Sequence, residues 1–175
     1  MLQRDSEGIM YQSGSYVVYG AQGVCRVIGT EIQRINRTKS EFLILEPIEK
    51  AESRFYLPTG NPAVIAKIRP VLTPEELKAL FLSAEIQNGE WIPEENRRKQ
   101  HYREILSGAD RIALLKMLVL VYRHREQQLA AGLKFHQCYD NYMHDAEKLL
   151  CSEVSLVLGM SGPEARMFLR EQLNG

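Results

Sequence analysis

The spacing of apolar residues along this chain changes once, at Pro70. Before it, apolar positions come in short β-branched and aromatic runs separated by turn residues. After it they recur at helical intervals. Tyr16–Tyr19, Val24–Ile28 (continuing past Gly29 towards Ile35), Phe42–Leu45, Arg54–Leu57 and Ala63–Ile68 read as five strands. Gly20-Ala-Gln-Gly23 and Asn36-Arg-Thr-Lys39 read as turns, and Pro47, Pro58 and Pro70 stop strands. Five short strands so punctuated predict a small antiparallel barrel, with residues before about Ser13 as a frayed lead-in.

Beyond Pro70 the pattern is helical. Thr73-Pro74-Glu75-Glu76 supplies an N-cap, a proline at the first helical position and acids in the first turn, predicting a helix to about Ala84. A second helix follows Pro93 and ends at Ser107-Gly108. A third is capped by Asp110 and runs to Gly132. Ile112–Tyr122 is apolar at ten of eleven positions, the signature of a central helix buried on all sides. The fourth, from about Phe135 to Gly159, carries Phe135, Cys138, Tyr139, Tyr142, Met143, Ala146, Leu149 and Leu150 on its core stripe. Asp140, Asp145, Glu147 and Lys148 fall on its predicted wet side. A last short helix spans Pro163 to Leu173. The fold class predicted is β + α in two domains, residues 1–70 and 71–175, a small antiparallel β-barrel followed by an all-α helical bundle.

At 175 residues the chain is long enough for two small cores. Lys116 interrupts its longest apolar run, which is also too short to span a bilayer. The opening M-L-Q-R-D-S-E-G lacks the apolar run of a signal peptide, so a cytoplasmic protein with no membrane contact is expected. Cys25, Cys138 and Cys151 are an odd count without paired spacing and predict free thiols. His124, His136, Cys138, His144 and Cys151 cluster late but lack metal-ligand spacing, which favours surface histidines and core thiols. Gly20-x-x-Gly23 lacks the third glycine and following helix of a phosphate loop. No G-x-S-x-G or other catalytic constellation is present, so no enzyme, metal, cofactor or small-molecule substrate is expected.

Charge is informative because it is segregated. The chain is neutral overall, yet Glu75–Glu95 carries net −5 and Arg97–Lys134 net +6. Such segregation points to a polyanion contact, which the neighbouring acids keep weak until another interaction brings the two together. Trp91, the sole tryptophan, precedes Ile92-Pro93 at a helix junction. It is either a core anchor or an exposed ring able to wedge beside an unstacked base next to Arg97, Arg98, Lys99 and Arg103.

Gly14-Ser-Tyr-Val-Val-Tyr-Gly-Ala-Gln-Gly-Val24 resembles the G-D-x-V-V-Y-P-x-H-G-V opening of the CarD/CdnL family of bacterial transcription regulators. Those proteins share their N-terminal domain with the transcription-repair coupling factor. The likeness continues through E-F-L-I-L-E-P, F-Y-L-P, a tryptophan followed by basic residues, R-E-I-L-S-G and A-E-K-L-L, from about Gly14 to Leu158. Gly20 stands where the motif has proline and Gln22 where it often has histidine. The resemblance implies a Tudor-like barrel that binds the RNA polymerase β subunit. It also implies a helical domain touching promoter DNA at the upstream edge of the bubble. Trp91 takes the place of the family's wedge, with Arg97, Arg98, Lys99 and Arg103 as basic neighbours. The polymerase-facing positions fall at Gln33, beside Arg34, and at Tyr56. A transcription regulator that stabilises the open complex, nucleoid-associated through polymerase, is the reading so implied. The alternative is a protein-interaction adaptor of the same architecture without DNA contact.

Overall fold

The computed structural model describes residues 3–4 and 10–174. The chain divides into two compact units, Met1–Val71 and Leu72–Gly175.

In the first unit a short ladder pairs β1 (Gln3–Arg4) with β2 (Met10–Tyr11), where a frayed lead-in is expected. The main sheet comprises β3 (Tyr16–Tyr19), β4 (Val24–Ile35), β5 (Thr38–Pro47), β6 (Phe55–Pro58) and β7 (Ile68–Pro70). All its ladders are antiparallel, in the order β6-β5-β4-β3-β7. Val17, Cys25, Val27, Leu43, Leu45, Leu57 and Ile68 form its core. Pro58 and Pro70 lie in the two outermost strands, where a missing N–H costs no central ladder bond.

The expected strand over Ala63–Ile68 is a correction. Asn61 caps a short helix, α1 (Pro62–Ile65), its side chain accepting from the Ala63 N–H at 3.1 Å, and only Ile68–Pro70 joins the sheet. An Asn-Pro cap and first-turn pair outweighs the β-propensity of Val64 and Ile65. Gly20 has φ +44° and donates its N–H to the Lys67 carbonyl at 3.0 Å. Proline could supply neither that φ nor that donor, so the departure at Gly20 is a change of backbone.

Beyond its register shift at Val27/Gly29, β4 pairs with β5 out to Ile35↔Thr38. Asn36 and Arg37, at φ +50° and +69°, close this long hairpin. Ile32 and Ile35 on its far part are exposed.

The second unit comprises α2 (Pro74–Leu82), α3 (Glu95–Gly108), α4 (Arg111–Ala130), α5 (Gln137–Leu158) and α6 (Gly162–Asn174). A 3-10 turn, Ala84–Gln87, lies between α2 and α3. Thr73 and Glu76 form a reciprocal capping box on α2, and Asp110 accepts from the Ala113 N–H to start α4. Helix α3 runs through the expected Ser107-Gly108 stop: Gly108 is helical, and the buried Ala109 takes the left-handed position at φ +51°. Helix α4 buries Leu114, Leu115, Met117, Leu118, Val119, Val121 and Tyr122, as its unbroken apolar run predicts.

Glu147 is a second correction. Expected on the wet side of α5, it is 0 % exposed. Its carboxylate accepts from the Tyr122 hydroxyl at 2.7 Å and from Arg170 at 2.7 and 3.0 Å, with Arg166 at 3.5 Å. The α5 repeat alone places Glu147 on the wet side because the compensating cations come from α6. Glu153 is buried likewise, taking two bonds from Arg111 at 2.8 and 2.7 Å and the Leu72 N–H at 3.0 Å. It ties the first residue of the unit to α4 and α5.

Buried ion pairs add little net stability but cost much when halved. Glu147→Gln should therefore destabilise the helical unit by about 3 kcal/mol, read as a lower denaturation midpoint in urea. A change under about 0.5 kcal/mol would show that the carboxylate charge is not needed there.

Candidate functional site

The two sets of sequence-predicted residues lie in different units and are described separately. In the first, the register places Gln33 opposite Ser40 and Tyr56 opposite Ile44. Ser40 and Ile44 are an even number of residues apart on β5, so Gln33 and Tyr56 share one face of the sheet. Arg34, opposite Lys39, lies on the other face. Tyr56 and Arg34 are exposed, and the Gln33 amide donates to Glu31 at 3.3 Å. Pairing of β3 with β4 reaches only Arg26. Among the described residues, no strand covers the outer edge of β4 from Glu31 to Ile35.

In the second unit Trp91 is neither free nor deep: it is half-buried against the core. Its indole stacks on the His124 imidazole, centroids 4.3 Å apart at 30°, and lies 5.9 Å from the Tyr139 ring. The Arg98 guanidinium sits 4.3 Å from the indole and 5.3 Å from Tyr139. Arg98 is only 7 % exposed. Its Nε donates to the Tyr139 hydroxyl at 2.9 Å and Nη1 to the Pro93 carbonyl at 3.1 Å. Nη1 also donates to the Ile92 carbonyl, and Nη2 to the Tyr139 hydroxyl. This is not the free phosphate-binding cation expected from the sequence. The reason is helical spacing: Arg98 and Tyr102 share the inward face of α3, while Arg97, Gln100, His101, Arg103 and Glu104 face outward.

The other basic neighbours differ among themselves. Arg97 and Arg103 are exposed, and Arg103 donates to Gln100 at 3.1 Å. Lys99 pairs with Glu95 one turn earlier at 2.5 Å. The linear charge segregation is also partly undone in space, since Lys116 reaches Glu85 at 3.1 Å and Arg111 is held by Glu153. Of the four basic residues expected beside Trp91, Arg97 and Arg103 are exposed, on the outward face of α3.

Sequence reasoning missed His124 and Tyr139 as parts of this site. The first read as a surface histidine and the second as one more core aromatic. Both follow Trp91 by more than 30 residues, on α4 and α5, so no local pattern joins them to it. Elsewhere, a cavity of about 440 Å³ is lined by Asp140, His144, Asp145, Glu147 and Arg170. Its one buried carboxylate, Glu147, is already saturated by Tyr122 and two arginines. Among the described residues no group of His, Cys, Asp and Glu could hold a metal ion, and no helix is long and apolar enough to cross a membrane. Burial pushes the Cys25 and Cys151 thiols up to about 11, leaving them protonated and unreactive.

Burial, and then the nearby cations Arg98 and His136, lower the His124 pKa from 6.5. The folded state thus prefers the neutral ring. As pH falls through 6.5 the unfolded chain takes the proton first, so this stability is present above the unfolded pKa and lost as pH falls through the folded one. Thermal unfolding between about pH 7.5 and 5 should show a steeper acid loss for the native chain than for His124→Gln. Parallel slopes would remove His124 from the account.

Residues 11–72 match the CarD-like/TRCF RID domain family, a match that covers the sheet and ends at the first residue of the helical unit. No curated protein matches the chain. At family level this domain is a non-enzymatic protein-interaction module that implies contact with the RNA polymerase β subunit, and so a transcription-related role. By this match, and in keeping with its opening motif, the segment 11–72 is similar to CarD-like/TRCF RID domains.

Proposed function

We propose that this protein is a transcription regulator that docks on the RNA polymerase β subunit through residues 1–70 and stabilises the open promoter complex through the helical unit. Trp91, with Arg97, Lys99 and Arg103, meets promoter DNA near the upstream edge of the bubble. The observation that carries this reading is the placement of the sole tryptophan: half-buried, its ring stacked on His124 and packed against Arg98, just before the helix whose outward face carries Arg97 and Arg103. A ring buried to the hilt would serve stability alone, and a ring on a loose tether would lose entropy on stacking.

Three cations release at most about three counterions, so the helical unit alone grips DNA weakly and with strong salt dependence. Recruitment by polymerase then supplies the effective concentration that the contact lacks. Association with the nucleoid would follow from polymerase, not from bulk charge, which is zero.

On the polymerase side, the uncovered edge of β4 from Glu31 to Ile35 suits addition of a strand. Gln33, Arg34 and Tyr56 are the side chains proposed to flank it. The adaptor reading without DNA contact keeps one observation in its favour, the packing of Trp91 against the core. The two readings separate on Trp91.

Two outcomes are expected. A fragment of residues 1–71 should retain the affinity for the polymerase β subunit in a pull-down or titration. If residues 72–175 retain it instead, the division of roles is wrong. Trp91→Ala should leave polymerase binding intact and shorten open-complex lifetime by roughly five- to a hundredfold, the equivalent of about 1–3 kcal/mol of base–aromatic stacking. Because the ring is half-buried, the same change should also cost about 2 kcal/mol of stability. A lifetime that falls only in proportion to the folded fraction would favour the adaptor.

A further inference from the structure

We infer that Arg98 is the positioning residue of Trp91: its guanidinium fixes the indole in its half-buried pose before any partner arrives, and does not itself bind phosphate. This rests on the reading of Trp91 as the DNA-contacting side chain. Nη1 holds the carbonyls of Ile92 and Pro93, the two residues that follow the tryptophan, which fixes the chain direction at Trp91 itself. Nε and Nη2 both reach the Tyr139 hydroxyl, on a residue 3 % exposed and so anchored in the core. The flat face of the guanidinium packs 4.3 Å from the indole, and His124 stacks at the same distance. Two backbone carbonyls, a phenol and a ring are joined by one planar fork, a geometry that a lysine ammonium cannot reproduce.

Arg98 is not simply a buried ion-pair member. Its neighbouring acids are committed elsewhere: Glu94 accepts from the N–H groups of Asn96 and Arg97 at 2.8 and 2.6 Å, and Glu95 pairs with Lys99. Among the described residues, no carboxylate lies within ion-pair distance of Arg98. A cation buried on neutral acceptors adds little by charge pairing, so its contribution here is geometric.

The test uses the full chain with bacterial RNA polymerase holoenzyme and a promoter. Variants are Trp91→Ala, Arg98→Lys, Tyr139→Phe and the double change Trp91→Ala with Arg98→Lys. Readouts are open-complex lifetime, thermal stability and acrylamide quenching of Trp91, the sole tryptophan, in the free protein. Arg98→Lys and Tyr139→Phe should make the indole more accessible to quencher and shorten the lifetime towards that of Trp91→Ala. In the Trp91→Ala background, Arg98→Lys should shorten it no further, because the two residues act through one contact. An equal fold-change in both backgrounds would mean that Arg98 meets DNA directly, and unchanged quenching would mean that it does not position the ring. Either result overturns the inference. If Trp91→Ala leaves the lifetime unaltered, the DNA-contact reading fails, while quenching still decides positioning. Should Arg98→Lys fail to fold, Tyr139→Phe, which removes one oxygen, carries the quenching and lifetime comparison.

Discussion

The surface of the helical unit depends on one buried guanidinium. Taking a cation out of water costs several kcal/mol even after relaxation, and among the described residues no carboxylate pairs with Arg98 to offset that cost. What offsets it is a set of charge-assisted hydrogen bonds, each worth about 1.5–3 kcal/mol, and contact with two aromatic rings, worth about 2 kcal/mol where water is excluded. The set closes only when Trp91, Ile92, Pro93 and Tyr139 stand where they do. In the segment before α3, these bonds and the stacking of Trp91 on His124 hold Trp91, Ile92 and Pro93. The half-buried pose of the indole is a consequence of that constraint.

Helix α5 supplies the far side of each such constraint. Tyr139 receives Arg98 from α3, Glu147 receives Tyr122 from α4 and Arg170 from α6, and Glu153 receives Arg111 and the Leu72 N–H. One helix therefore sets the positions of three others and of the chain's entry into the unit. In the sheet the corresponding device is the long β4–β5 hairpin. Its inner half packs into the core, while its outer half projects isoleucines and an edge that, among the described residues, no strand covers. A flat exposed edge is an aggregation hazard unless a partner covers it, which is a physical reason to expect one.

Much of this was legible in the sequence. Thr73-Pro74, Asp110 and the apolar run of α4 act locally, and the helices start and pack as they specify. The β-branched runs and their turns likewise give four of the five strands. Other features were hidden. Val64 and Ile65 look like strand residues until Asn61 is seen to cap them. Glu147 and Arg98 look solvated because charged residues nearly always are, and side chains that hold them, Arg170 and Tyr139, lie 23 and 41 positions away. A one-dimensional charge run likewise says nothing of pairing between elements, and Lys116 with Glu85 shows why. The residues that sequence reading misplaced are those whose energetics are set by tertiary neighbours.

The central claim is that Trp91 lies against promoter bases at the upstream edge of the bubble. The most direct measurement places 2-aminopurine at that position of the promoter and follows its fluorescence in the open complex with polymerase. Stacking quenches this base, so adding the native protein should lower the signal, and adding Trp91→Phe should lower it less. If the native protein and Trp91→Ala leave the same fluorescence while both are bound to polymerase, the indole does not touch the bubble and the account is contradicted.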